Sequence, residues 1–179
     1  VIRAYRAGDR DACLALFDGN SAPYFAPSER ADFAHFLDHD AAKWAFQVAE
    51  RDGHIVGCGG MAIGGNGRTG YFCWGLVDRT RHRQGIGTAL VRVRLDRAAQ
   101  ADVREVRLDT SQHSRAFYER LGFQAERDNR WIWARARPLR YGADASPPAL
   151  EQRIGGLPDG PTNRTLFSPA PVDTESASD

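Results

Sequence analysis

Arg81-His82-Arg83-Gln84-Gly85-Ile86-Gly87-Thr88 lies between a strand-like run and the first turn of an amphipathic helix, and it decides how the rest of the chain is read. The first amides of a helix lack intrahelical partners and sit at the positive end of its dipole, so together they form a site for phosphate. Gly85 and Gly87 have no Cβ and let a pyrophosphate approach the main chain, while Arg81 and Arg83 add charge and Thr88 a hydroxyl. Glycine can also stand in such a place for a tight turn alone. Two nucleotide motifs fit worse. A dinucleotide fingerprint wants glycine or alanine at position 90, which is Leu90, and a P-loop wants lysine directly before Thr88, where Gly87 stands.

Downstream, Ile86, Ala89, Leu90 and Val93 mark one face of a helix to about residue 101. Upstream, Trp44, Phe46 and Val48 alternate with Ala45, Gln47 and Ala49. The turn Arg51-Asp52-Gly53 and the glycine-rich Gly64-Gly65-Asn66-Gly67 then separate strands over residues 54–63 and 69–77. An antiparallel meander is expected. Ahead of it, residues 2–6 are weakly strand-like. Asp9 reads as the N-cap of a short helix carrying Cys13, Leu14, Leu16 and Phe17 and stopped by Asp18-Gly19-Asn20. Ser28 reads as the cap of a second helix with Phe33, Phe36 and Leu37 on one stripe. After the long helix come a strand over 103–108, a short helix over 114–121 ended by Gly122, and a final strand over 131–136 following a turn at Asp128-Asn129. This order implies a mixed α+β domain over residues 1–140.

With 42% hydrophobic and 26% charged residues, the 179-residue chain has the composition of one compact domain. No apolar run approaches the ~18 residues a membrane span needs, and charges stand where a signal peptide would be apolar, so a cytoplasmic protein is expected. Cys13, Cys58 and Cys73 are odd in number and widely spaced, which suits buried thiols rather than a disulfide framework or a metal site. Residues 1–140 carry 22 basic against 17 acidic side chains, and residues 141–179 carry 2 against 6. The positive excess suits a phosphate-bearing ligand and falls short of a nucleic-acid surface. The Pro-, Gly- and Ser-rich residues 141–179 read as an extended tail. Leu150, Ile154, Leu166 and Phe167 would dock on the domain or on a second copy of it, which leaves a homodimer open.

The stretch 74–90 resembles the cofactor-binding segment of GNAT N-acetyltransferases, Q/R-x-x-G-x-G/A, with His82 at the Q/R position. Residues 109–123 resemble that family's N-x-x-A-x-x-x-Y-x-x-x-G-F. Tyr118, Gly122 and Phe123 match, Ser111 and Ser114 stand at the Asn and Ala positions, and Gln112 could supply the missing amide. The resemblance implies a central mixed, mostly antiparallel sheet flanked by helices, with acetyl-CoA as co-substrate and no metal. It implies that main-chain groups of Leu76 and Val77 meet the pantetheine, and that the amides of Arg83, Gln84, Gly85, Ile86, Gly87 and Thr88 hold the pyrophosphate. It places Tyr118 beside the sulfur, where a phenol of ordinary pKa about 10 can protonate a departing thiolate.

No carboxylate occupies positions 71–75, where many members of that family carry a base; Asp109, Glu50 and His113 are the candidates. Tyr24, Phe25, Trp44, Trp74, Trp131 and Trp133 are candidate walls for an acceptor, or core residues. The expected function is acetyl transfer to a primary amine of a small molecule or peptide, with no role for nucleic acid or membrane. The alternative is a catalytically silent CoA-binding regulatory module.

Overall fold

The computed structural model describes residues 1–111, 113–127 and 131–134. Strand β1 (Ile2–Ala4) leads through a 3-10 turn (Ala7–Asp9) into helices α1 (Arg10–Tyr24) and α2 (Glu29–His39). The meander follows as β2 (Gln47–Arg51), β3 (His54–Ile63) and β4 (Thr69–Val77), then α3 (Ile86–Gln100), β5 (Glu105–Asp109), α4 (Arg115–Arg120), β6 (Gln124–Arg127) and β7 (Trp131–Ala134). The strands form one sheet in the order β1-β2-β3-β4-β5-β7-β6, antiparallel throughout except for the β4–β5 pair. The mixed, mostly antiparallel class is therefore as expected. Expectations for the tail beyond residue 134, for the side chains of Trp131 and Trp133 and for Gln112 lie outside the described residues.

Several local expectations are corrected. Helix α1 runs straight through Asp18-Gly19-Asn20, because tertiary partners occupy the side chains that would otherwise compete for its backbone. Asp18 pairs with Arg30 at 2.6 Å, and the Asn20 amide donates to Leu16 O at 2.8 Å and to Val77 O at 3.1 Å. Asp9 does not cap α1: its carboxylate accepts from Arg6 N and pairs with Arg3 at 2.7 Å. Ser28 makes no capping bond to α2, and the Glu29 carboxylate accepts from Ala26 N instead, at 2.6 Å. Trp44 lies ahead of β2, since Ala45 turns the chain at φ 41°, while its carbonyl still accepts from Met61 N. Strand β6 is not expected from sequence, because Gln124-Ala125-Glu126-Arg127 has no apolar alternation; its ladder with β7 makes it a strand.

Apolar residues fill both faces of the sheet. Under α1 and α2, Phe17, Phe33, Phe36 and Phe46 surround Trp74, with the Phe33 and Trp74 centroids 4.8 Å apart. Under α3 and α4, Met61, Phe72, Val91, Val106, Tyr118 and Phe123 pack together. Burying each such phenylalanine stabilises the fold by roughly 2–3 kcal/mol. All three cysteines are buried free thiols, as their spacing implies.

Two irregularities place the site. The parallel ladder joins only residues 69–72 of β4 to residues 105–108 of β5, and β4 then continues to Val77 without β5 beside it. Against β3 the register shifts, so that Trp74 and Gly75 together stand opposite Gly59. This is a β-bulge, with Trp74 at φ 46°. The sheet opens at the bulge.

Candidate active site

A cleft of about 1380 Å³ fills the opening between β4 and β5. Its outer end is the glycine loop. Arg83 and Gly85 both have positive φ, 62° and 81°, and Gly85 is the residue from which α3 starts, with Ala89 N making the first bond back to its carbonyl at 2.9 Å. The amides of Ile86, Gly87 and Thr88 precede that bond and so keep the free donors of a helix start. No side chain caps them, and Gly85, Gly87 and Thr88 all line the cleft. A Cβ at Gly85 would touch nothing within 4 Å, so glycine is required there by its φ and not by space. Arg81 and Arg83 line the same mouth, whereas Gln84 is turned to Arg51, from which it accepts a hydrogen bond at 2.9 Å.

His82, which stands where the motif carries Gln or Arg, reaches back from its Nε2 to donate to Val77 O at 3.0 Å. That carbonyl also accepts from Asn20, so it is tied to both α1 and the loop. The Tyr24 ring stands edge-on to His82 at 6.1 Å and to His113 at 6.0 Å, and thus spans the cleft from the glycine loop to the segment before α4.

At the inner end the Tyr118 phenol lies under the bulge: a Cβ on Gly75 would come within 3.1 Å of its hydroxyl. Tyr118 is held by its edge-on contacts with Phe117 and Phe123, at 5.0 and 5.4 Å. Burial raises its pKa, and the nearby Arg94 guanidinium opposes that rise. A phenol so placed stays protonated at neutral pH and can donate. Arg94 is the residue that sequence reading misses. It is only 3% exposed, lies 4.3 Å above the Phe72 ring, and donates to Leu90 O at 3.0 Å and Gly60 O at 3.4 Å. Helical spacing alone does mark it, since it is four residues beyond Leu90 on the buried face of α3.

Of the three candidate bases, Asp109 and His113 line the cleft and Glu50 does not: it pairs with Arg3 at 2.8 Å, on the far side of the meander. A further carboxylate, Glu29, lines the cleft at the start of α2, and burial raises its pKa. Sequence reading passes over it because it follows an expected cap and carries no motif. Of the aromatic candidates, Tyr24, Phe25 and Trp74 line the cleft, with Phe25 stacked on Trp74 at 6.2 Å, while Trp44 packs against the α1–α2 core. Among the described residues there is no cluster of His, Cys, Asp or Glu able to hold a metal ion, and no helix long and apolar enough to cross a membrane.

A sheet opened by a bulge over a glycine-started helix, with a buried tyrosine at the floor of the opening, defines a coenzyme-dependent acyltransferase. The chain belongs to the Acetyltransferase (GNAT) family, whose sequence pattern it matches over residues 13–123. It is an acyl-CoA-dependent acetyltransferase with acetyl-CoA as co-substrate. The fold is similar to that of a GNAT-family acetyltransferase from Staphylococcus aureus, with 16% identity and a TM-score of 0.63 over 75% of this chain and 98% of that one. It is also similar to the PaiA N-acetyltransferase from Thermoplasma acidophilum, solved with coenzyme A, at 15% identity and a TM-score of 0.61 over 75% and 97% of the two chains. Rv2747 from Mycobacterium tuberculosis, solved in complex with CoA, shares 25% identity and a TM-score of 0.56 over 71% and 73%. No protein of curated function matches the sequence.

Proposed function

We propose that the chain transfers the acetyl group of acetyl-CoA to a primary amine of a small molecule or peptide by direct attack, with Tyr118 as the acid. The observation that carries this reading is the Tyr118 hydroxyl, buried at the floor of the cleft beside the open face of Gly75. Acetyl-CoA supplies an activated acyl group on sulfur. The amides of Ile86, Gly87 and Thr88 hold its pyrophosphate, with Arg81 and Arg83 adding charge at the mouth. The stretch of β4 from Gly75, exposed within the cleft, through Leu76 to Val77 supplies the main chain along which the pantetheine runs, the Val77 carbonyl itself being already held by His82 and Asn20.

As the amine nitrogen bonds to the carbonyl carbon, the C–S bond breaks and the Tyr118 proton passes to sulfur. The proton released by the amine goes to a carboxylate, and Glu29 is our assignment. It lies on the α1–α2 side of the cleft near Phe25, and its raised pKa suits a base better than that of an ordinary glutamate. Phe25 and Trp74 then form an apolar wall for the acceptor.

The test is release of free thiol from acetyl-CoA by the purified chain across a panel of amines, with the acetylated product identified by mass. Thiol release that depends on one class of amine supports the reading and names the acceptor. Tight acetyl-CoA binding with no amine-dependent release across the panel would overturn the assignment of a primary amine as the acceptor.

A further inference from the structure

Burying a charged guanidinium costs several kcal/mol unless the surroundings compensate. Arg94 takes part in no ion pair among the described residues; its neighbours are two backbone carbonyls, the Phe72 ring, the thiols of Cys58 and Cys73, and Tyr118. The backbone has been cleared around it. A Cβ on Gly59 would lie 2.9 Å from Arg94 Nη1, and one on Gly75 would lie 3.9 Å from Nη2 and 3.1 Å from the Tyr118 hydroxyl. These two glycines face each other across the bulge, so the irregularity that opens the cleft also makes room for an arginine and a tyrosine side by side.

We propose that Arg94 is a positioning residue for the acid: its guanidinium, held beside the Tyr118 hydroxyl under Gly75, supplies the charge that stabilises the phenolate left when the proton moves to sulfur. The inference rests on the reading of Tyr118 as the acid. Leu90 O and Gly60 O hold the guanidinium in place, so no reorganisation is needed when negative charge develops. Cys58 and Cys73 do not compete as anions, because burial raises both thiols. The other ionisable groups around Tyr118 are Asp109 and His113 on the approach to α4, and on its own helix Arg120, which lines the cleft, and Arg115 and Glu119, which pair with each other on the exposed side at 2.7 Å. Arg94 is the cation that faces the phenol from beneath the sheet.

The experiment is a double-mutant cycle in the full chain: Arg94→Met and Arg94→Gln, each alone and combined with Tyr118→Phe, with Arg94→Lys as the conservative variant. Replacing a buried charge by methionine need not destabilise the fold. Melting temperature and acetyl-CoA affinity identify any variant that fails to fold, and the cycle is then read from Arg94→Gln. The expected result is a fall in kcat of roughly 10- to 100-fold, a part of the roughly 10²- to 10⁴-fold that a positioned acid contributes. KM for both substrates should hold, the alkaline limb of kcat should move to higher pH, and Arg94→Lys should restore part of the rate. The same substitutions in the Tyr118→Phe background should cost nothing further.

An equal loss in both backgrounds, an unmoved alkaline limb, or a loss confined to KM of the acceptor would overturn the proposal; the last would make Arg94 a substrate-binding cation instead. Failure of the underlying reading is seen separately, as full activity of Tyr118→Phe alone.

Discussion

Gly87 and Phe117 meet across the cleft: a Cβ on Gly87 would lie 3.2 Å from the Phe117 ring. The glycine loop and the tyrosine helix, far apart in the chain, are therefore packed against each other, and Phe117 neighbours Tyr118. Gly87→Val should press on Phe117 and crowd the helix start at once. Overpacking of this kind costs roughly 1–3 kcal/mol. Calorimetric titration of the folded variant should separately show acetyl-CoA binding weakened by roughly tenfold or more, a loss of about 1.4 kcal/mol of binding free energy from crowding where the pyrophosphate approaches the main chain.

Gly85 separates conformation from space. Its φ is 81° and a Cβ there would meet nothing within 4 Å, so Gly85→Ala should lower stability by roughly 1–2 kcal/mol through backbone strain alone. Gly85→Asn should be milder, since asparagine tolerates the left-handed region. Thermal melts of the two variants check the order.

Tyr118→Phe keeps the ring packed between Phe117 and Phe123 and removes only the hydroxyl. The expected outcome is a kcat lower by roughly 10²-fold or more with unchanged acetyl-CoA affinity. An unchanged turnover would return the residue to a packing role.

Glu29 carries a pH signature. A base must be deprotonated, and burial raises this carboxyl, so kcat/KM should fall as pH drops through a pKa above that of an ordinary glutamate. Glu29→Gln should lower kcat/KM by roughly 10²-fold or more and abolish that acid limb. If the limb persists in Glu29→Gln and vanishes in Asp109→Asn, the base is Asp109.

Asp9 has a stability role remote from the cleft. Its carboxyl is lowered chiefly by the hydrogen bond from Arg3, so the stabilisation is full above the ordinary aspartate range and is lost as pH falls through the depressed pKa. Asp9→Asn should cost roughly 1–3 kcal/mol at neutral pH, and the difference from the parent should shrink in acid. Denaturant melts at two pH values measure it.

Much of the fold is legible in the chain because it is local. The glycines at 85 and 87, the change from strand to helix period after Gln84, and Gly122 closing the short helix are properties of neighbouring residues, and β3, β4 and α3 lie where periodicity puts them. Tyr118 and the glycine loop, which the fold brings to one cleft, lie in the same short segments. What tertiary structure alone decided depends on groups distant in sequence. Helix α1 ignores Asp18-Gly19-Asn20 because Arg30 and the Val77 carbonyl take those side chains. Gln124–Arg127 becomes a strand because β7 lies beside it. Glu50 drops out as a base because Arg3 holds it elsewhere, and Glu29 becomes a candidate because the start of α2 faces the cleft. Helical spacing puts Arg94 on the buried face of α3, but only the bulge, with Gly59 and Gly75 giving way on either side, sets its charge beside the tyrosine.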